Sequence, residues 1–229
     1  MMRRAIFFAG LLGTAGQRVV AQNPAPLLAG DPEASAQLAK IVSVTKQKGL
    51  PTDPILTRVS YGVMRHAEPQ RIVAAARAVA SRLEVARDAL APRPTDLDIA
   101  AGEGALGSGV ISDEHPSVQS VVDALRAVRA ASPNQPVAVP LGVLSQLLAG
   151  GVPVKRAATI VTDLIKRGAT TEQLATLGND INSDVLRGMQ TTYALDLRTR
   201  GLNAVLAPPT ASATAADFPF AATGPPKKP

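Results

Sequence analysis

Apolar residues recur along this chain at the three- and four-residue spacing of a helix. Between residues 118 and 128 the apolar positions of one helical face are Val118, Val121, Val122, Leu125 and Val128. Because a helix turns once every 3.6 residues, this spacing forms a single stripe that can pack on a core. No comparable stretch alternates apolar and polar residues with the period of two that a half-buried strand requires. The pattern therefore predicts an all-α protein.

Prolines and glycines divide this pattern into short helices. Asp31-Pro32 places a proline directly after an N-cap residue, where proline is favoured because its missing N–H would have no partner. Thr170 with Gln173 is typical of a capping box. Six glycines, each followed by an apolar residue, are predicted to end helices in the left-handed conformation: Gly49, Gly62, Gly109, Gly151, Gly168 and Gly188.

These signals predict about nine short helices, at 32–48, 53–61, 69–91, 97–108, 116–131, 140–150, 153–167, 170–187 and 190–200. Prolines on both sides of residues 137–139 argue against a strand there and predict a linker at 132–140. The glycine joints recur at irregular spacings, whereas a true solenoid keeps a fixed period. We therefore expect an irregular helical bundle or an array of helical hairpins, followed by a disordered C-terminal tail.

The first 21 residues have the three parts of a secretory signal peptide. Arg3 and Arg4 give a positive start, an apolar run follows at residues 5–15, and Val19-Val20-Ala21 offers a small-residue cleavage site. A transmembrane anchor is the alternative, but a membrane-spanning helix needs about 20 apolar residues. We predict cleavage after Ala21 and export to a periplasm or to the medium, with no transmembrane segment in the mature chain.

The remaining chain divides into one folded domain between two segments without a helical pattern. Residues 22–30 are interpreted as a flexible leader and residues 31–206 as a single helical domain. Residues 207–229 contain six prolines and much alanine, a composition that buries too little apolar surface to offset the entropy of the chain. We predict that residues 207–229 form a disordered tail.

Composition excludes several classes of site. The chain has no cysteine, which removes disulfides, thiol catalysis and cysteine-bound metal clusters. Without the signal peptide and the tail, the 24 basic and 18 acidic residues fall to 19 and 17, so there is no electrostatic basis for nucleic-acid binding. Tyr61 and Tyr193 are the only aromatic residues from 31 to 206, which argues against stacking platforms for sugars or single strands.

Two short motifs match ligand-binding patterns in residue type, but their sequence context does not fit those sites. Residues 102–107 read as the G-x-G-x-x-G of a dinucleotide-binding loop, but no apolar strand precedes them and no β-α-β alternation follows. A glycine-weakened helix that ends at Gly109 is the simpler interpretation. Asp113, Glu114 and His115 are possible metal ligands, yet adjacent residues do not easily converge on one ion. We therefore predict no cofactor and no metal.

Histidines and carboxylates are the remaining candidates for acid–base chemistry. His66 lies near Glu68, a pairing that could serve as a general base, although the local sequence indicates an exposed turn. Asp180 and Asp184 stand four residues apart on one predicted helix, where a solvated polar face explains them without a function. Since no acid has a context that selects it, no catalytic residue is assigned.

Three functions remain open on these observations. We expect an exported helical interaction or scaffold module of the cell envelope, in which grooves between helices bind an extracytoplasmic protein. A structural or stress-related exported protein is an alternative that predicts neither a partner nor a cleft. A carboxylate-dependent hydrolase is another alternative, and it requires a buried acid with a raised pKa in a cleft.

Overall fold

The computed structural model describes residue 28 and residues 30–109 and 117–206. Within these residues the chain forms nine α-helices and no strand, which confirms the predicted all-α class. The predicted signal peptide, the tail at 207–229 and the cluster at 113–115 lie outside the described residues. The helices are α1 (Pro32–Gln47), α2 (Asp53–Met64), α3 (Pro69–Ala89), α4 (Asp96–Gly109), α5 (Val118–Ala131), α6 (Ala138–Ala149), α7 (Val154–Lys166), α8 (Thr171–Leu186) and α9 (Thr191–Leu206).

Most helices pack on the helix that comes two later in chain order, as α4 packs on α6. Most also pack on the helix that precedes or follows them directly, as α3 packs on α4. One row consists of α4, α6 and α8, and a second row consists of α3, α5 and α7. At one end α1 and α2 pack on α3, and at the other end α9 packs on α8. The arrangement is a two-row helical array, which falls within the predicted choice of an irregular helical bundle or an array of helical hairpins.

Capping residues start the helices where the sequence predicts. At α1 the Asp31 carboxylate accepts a hydrogen bond from the Ala34 N–H at 2.9 Å, and a proline occupies the first turn. At α8 the Gln173 N–H donates to the Thr170 hydroxyl at 3.2 Å, and the Thr170 N–H donates to the Gln173 side chain at 2.8 Å. The predicted capping box is therefore present, and it satisfies two N–H groups that have no partner within the helix.

Four of the six predicted glycine stops are confirmed by a positive φ, which lies between 67° and 97° at Gly49, Gly151, Gly168 and Gly188. The prediction is wrong for Gly62 and Gly109. α2 continues through Gly62 to Met64 and ends at a turn in which His66 takes a φ of 53°. Gly109 is the last residue of α4 that the structure describes, and it has no positive φ and is itself helical.

Gly62 and Gly109 allow neighbouring helices to pack closely. A Cβ atom at Gly62 would lie 2.9 Å from Ile72 Cγ1, and one at Gly109 would lie 2.6 Å from Val121 Cγ2. Real Cβ contacts are longer than this, because carbon atoms meet at about 3.5–4.0 Å. The missing side chains therefore let α2 approach α3, and α4 approach α5.

The predicted linker at 132–140 is wrong over its last residues, because α6 begins at Ala138. Pro140 occupies the third position of this helix, where its missing N–H has no helical partner to lose. Val137, just before the helix, is fully buried, and its N–H donates to the Asp98 carboxylate at 2.7 Å. A tertiary contact therefore starts the helix at a place where the local sequence indicates a break.

The core is aliphatic, as the shortage of aromatic residues requires. Its largest fully buried side chains are eleven leucines and one isoleucine. Leu28, in the segment interpreted as a leader, is 6% exposed, and its carbonyl accepts hydrogen bonds from the Asp31 N–H and the Ser35 hydroxyl. The packed region therefore includes at least one residue before Asp31.

Candidate functional site

Asp98, at the start of α4, is the most buried carboxylate among the described residues, with 1% of its surface exposed. It closes a reciprocal pair of hydrogen bonds with Thr95: the Thr95 N–H donates to Asp98 Oδ2, and the Asp98 N–H donates to Thr95 Oγ1, each at 3.1 Å. This is the geometry of a capping box with aspartate in the place of glutamate. The local pattern explains why an acid stands here, but not why it is buried.

Three helices meet at the Asp98 carboxylate. Arg129 of α5 donates to Oδ2 at 3.0 Å, and the Val137 N–H before α6 donates to Oδ1 at 2.7 Å. Burial alone would raise the pKa of Asp98, but the hydrogen bonds from Thr95 and Val137 and the charge of Arg129 outweigh it and hold the pKa below its usual value. The Asp98 carboxylate is therefore ionised, and both of its oxygens accept hydrogen bonds that link α4 to α5 and to the start of α6.

Asp184 of α8 corrects the interpretation of residues 180–184 as a solvated face. Only 3% of Asp184 is exposed, and Arg198 of α9 binds both of its oxygens, at 2.7 and 2.9 Å. Arg198 also donates to Asp180 at 3.2 Å. Hydrogen bonding from Arg198 lowers the pKa of Asp184 and raises that of Arg198 itself. The four-residue spacing of Asp180 and Asp184 thus places both carboxylates within hydrogen-bonding distance of Arg198 on the next helix.

Further ion pairs connect other helices. Arg82 of α3 donates twice to Glu103 of α4, at 2.9 and 2.7 Å, with both side chains mostly buried. Lys48, at the end of α1, pairs with Glu84 of α3 at 2.7 Å, and both groups are substantially exposed. Buried acids in the described part of the chain are therefore occupied by arginines in structural contacts, which sequence spacing alone does not reveal.

The sequence candidates do not assemble into a site among the described residues. Residues 102–107 lie within α4, where a Cβ at Gly102 would be 3.1 Å from Ala86 Cβ and from Leu90 Cδ1. The glycine admits a neighbouring helix and does not form a phosphate loop. His66 lies exposed in the turn after α2, while Glu68 pairs with Arg71 at 3.6 Å. No general-base pair is formed there.

A groove of about 360 Å³ lies between α5 and α7. Its buried lining residues are Ala124, Val154, Ala158 and Thr162, none of which is large. Asp123 stands on the α5 side and Lys155 on the α7 side, and both are exposed. The groove is therefore a shallow apolar trough between walls of opposite charge.

A second hollow, of about 520 Å³, lies where the turns after α5 and α7 come together. Its lining residues, at 131–135, 165 and 168–171, include no ionisable side chain. This surface offers backbone, hydroxyl and amide groups to a ligand, but no acidic or basic side chain.

Metal-binding clusters and membrane-spanning helices are both absent from the described residues. No group of three or more His, Asp or Glu side chains is placed to hold a metal ion there. In that same part of the chain, no helix is both long enough and apolar enough to cross a membrane.

Comparison with known proteins adds no assignment to this geometry. The chain matches no protein-family model, no curated protein and no solved structure.

Proposed function

We propose that this chain is an exported helical interaction module of the cell envelope, and that the groove between α5 and α7 binds a partner protein. The small residues Ala124 and Ala158 at the bottom of the groove carry this assignment. Small side chains let a partner helix come close and leave room for its large apolar residues, which is how helices dock into grooves.

The charges beside the groove define the chemistry of the partner. Asp123 on one wall and Lys155 on the other favour an amphipathic helix with a basic residue along one edge and an acidic residue along the other. The apolar face of that helix would supply leucine or an aromatic residue to the trough. Export is supported by the signal-peptide pattern at residues 1–21.

The hydrolase alternative receives no support from the described acids. A catalytic acid needs a raised pKa, whereas hydrogen bonds hold the pKa of Asp98 low despite its burial, and Arg198 lowers that of Asp184. The acid that lines the groove, Asp123, is exposed and is bound by Gln119 and Arg126. A structural or stress-related protein remains the second candidate, and it predicts no saturable partner.

Crosslinking from the groove tests this proposal. The mature chain, residues 22–229, would carry a photocrosslinking amino acid at Thr159, an exposed residue that lines the groove. After irradiation in solubilised envelope, we expect one saturable product, which mass spectrometry would map to an amphipathic helix of an exported or envelope protein. The Ala127→Arg variant fills the groove with a long charged side chain and should abolish this product.

The matched control is Ala130→Arg, because Ala130 is also exposed on α5 but does not line the groove. This variant and a chain that lacks residues 207–229 should both keep the product. If Ala127→Arg and Ala130→Arg crosslink alike, the groove is not the binding site. If no saturable product forms under several salt conditions, the structural alternative replaces the interaction module.

A further inference from the structure

The last described helix, α9, leaves one of its faces exposed. Of its 16 residues only Ala194 and Leu195 are buried, and they face α8. Two ion pairs fix its orientation, from Arg198 to Asp184 of α8 and from Asp196 to Arg156 of α7 at 2.6 Å. Stacked helical arrays usually end in a helix with a polar outer face, and α9 departs from that rule.

The outer face of α9 combines apolar residues with one cation. Tyr193, Leu197, Arg200 and Ala204 are spaced at i, i+4, i+7 and i+11, so they form one stripe. Tyr193 is 62% exposed and Leu197 is 48% exposed. Arg200 is exposed in the middle of this stripe and forms no ion pair with any acid in the described part of the chain. The stripe therefore calls for a partner with large apolar groups and one carboxylate.

The segment that follows α9 contains those groups in consecutive order. Between residues 207 and 229, Asp217 is the only acid, and it directly precedes Phe218-Pro219-Phe220. These two phenylalanines are the only ones after residue 21. We infer that Asp217-Phe218-Pro219-Phe220 binds in cis to the outer face of α9, with the Asp217 carboxylate on the Arg200 guanidinium and the Phe220 ring on Leu197 and Tyr193.

The spacing on the two sides agrees with an extended segment that runs antiparallel to α9. Arg200 and Tyr193 are seven residues apart, or about 10.5 Å along a helix. Asp217 and Phe220 are three residues apart, or about 9 Å along a polyproline II segment, whose three-residue turn puts both side chains on one side. When Asp217 meets Arg200, Phe220 therefore reaches the level of Tyr193.

The connecting residues are long enough for this return. Residues 207–216 span up to about 33 Å when extended, while Arg200 lies only about 9 Å back along the helix from Leu206. The prolines at 208 and 209 cannot continue the helix, and Gly201, beside Arg200, has open space on its Cβ side. A peptide backbone can approach α9 there. The rest of residues 207–229 keeps the composition of a disordered chain, in which a short motif docks.

A single tryptophan reports on this contact directly. The chain has no tryptophan, so Phe220→Trp in the chain of residues 22–229 supplies one probe. We expect its emission at shorter wavelength and its quenching by acrylamide several-fold weaker than in the same chain with Arg200→Asp or Leu197→Ser. Adding Asp217→Arg to Arg200→Asp should restore the protection, because the charges are then exchanged and still opposite. Arg58→Asp, on the exposed side of α2, makes the same charge change elsewhere and should have no effect.

Equal emission and quenching in all these chains would overturn the inference. Protection that grows with protein concentration would also overturn it, because the segment would then bind a second copy and not its own α9. None of these readouts needs a partner protein. Their failure would therefore leave the groove between α5 and α7 unaffected, and failure of crosslinking at the groove would leave α9 unaffected.

Discussion

At the level of single residues, arginine–carboxylate contacts link neighbouring helices of this array. Asp98 receives hydrogen bonds from Thr95, Val137 and Arg129, and thereby joins the start of α4 to α5 and to the start of α6. Desolvation offsets much of the attraction within a buried ion pair, so such a pair adds little net stability. Removing one partner is different, because it leaves the other charge buried and uncompensated.

Replacing Asp98 should therefore be costly although the change is nearly isosteric. We expect Asp98→Asn to lower the free energy of unfolding by about 3 kcal/mol, because Arg129, 12% exposed, loses its counter-charge. Urea unfolding followed by circular dichroism measures this loss. The control is Asp123→Asn on α5, where the exposed acid should contribute no more than about 0.5 kcal/mol. Equal effects of both variants would contradict a clamping role for Asp98.

The pH dependence of stability follows from the lowered pKa of Asp98. The folded chain binds this proton more weakly than the unfolded chain, so the carboxylate stabilises the fold fully above its unfolded pKa of about 3.9. That stabilisation is lost as the pH falls through the lower folded value. We expect the stability difference between wild type and Asp98→Asn to be constant from pH 7 to about 5 and to shrink below about 4. Urea titrations across this range test it, and a difference that shrinks towards alkaline pH would refute the assignment.

At the scale of helices, two kinds of glycine carry different information. Gly168 ends α7 with a φ of 84°, and the next N–H, of Ala169, donates back to the Leu164 carbonyl at 3.0 Å. Gly62 is helical and stands against Ile72 of α3. Gly142, in α6, is also helical but has nothing within 4 Å of its Cβ position. Only the surroundings distinguish these cases.

Substitution by alanine should change the free energy of unfolding in opposite directions at the two helical glycines, Gly62 and Gly142. Gly62→Ala would place a methyl group 2.9 Å from Ile72, and we expect it to lower the free energy of unfolding by about 1–2 kcal/mol. Gly142→Ala adds a better helix former in open space and should raise it by about 0.5–1 kcal/mol. Thermal and urea unfolding of both variants measure these changes. A shared sign would mean that α2 and α3 do not approach as closely as described.

At the scale of the whole molecule, the array exposes two surfaces that differ in chemistry. The groove between α5 and α7 is shallow, lined at its base by small residues and edged by Asp123 and Lys155. The outer face of α9 has large apolar residues around Arg200. The groove would meet an extracytoplasmic partner only if the chain is exported, which makes the fate of its first residues the central question at this scale.

The signal-peptide prediction is tested by the N-terminus of the mature protein. When the full chain is produced in a bacterium, we expect export with cleavage after Ala21, so that the mature protein begins at Gln22. Mass spectrometry of the extracytoplasmic fraction measures this. Ala21→Arg places a large charged residue at the cleavage site and should leave the precursor uncleaved, whereas Ala15→Val, within the apolar run, should be processed normally. An uncleaved wild-type chain in the cytoplasm would refute export.

The class of the fold and the positions of nearly all helices could be predicted from the amino-acid sequence, because they depend on local signals. A proline in the first turn, a capping box or an apolar stripe acts within one or two turns of the chain. Such signals set the start of α1 at Pro32 and of α8 at Thr171 without reference to any other helix. The aliphatic nature of the core follows from composition, because residues 31–206 contain only two aromatic side chains.

Packing between the helices determines which helical positions are close contacts and which acids are buried. Gly62 and Gly109 resemble Gly168 in sequence, yet their role is set by Ile72 and Val121 on other helices. Asp184 is buried because Arg198 reaches it from α9, and Val137 starts α6 because it bonds Asp98, 39 residues away. The groove likewise exists only because α5 and α7 lie side by side. Interactions between distant residues depend on how the helices are stacked, and no local pattern records that stacking.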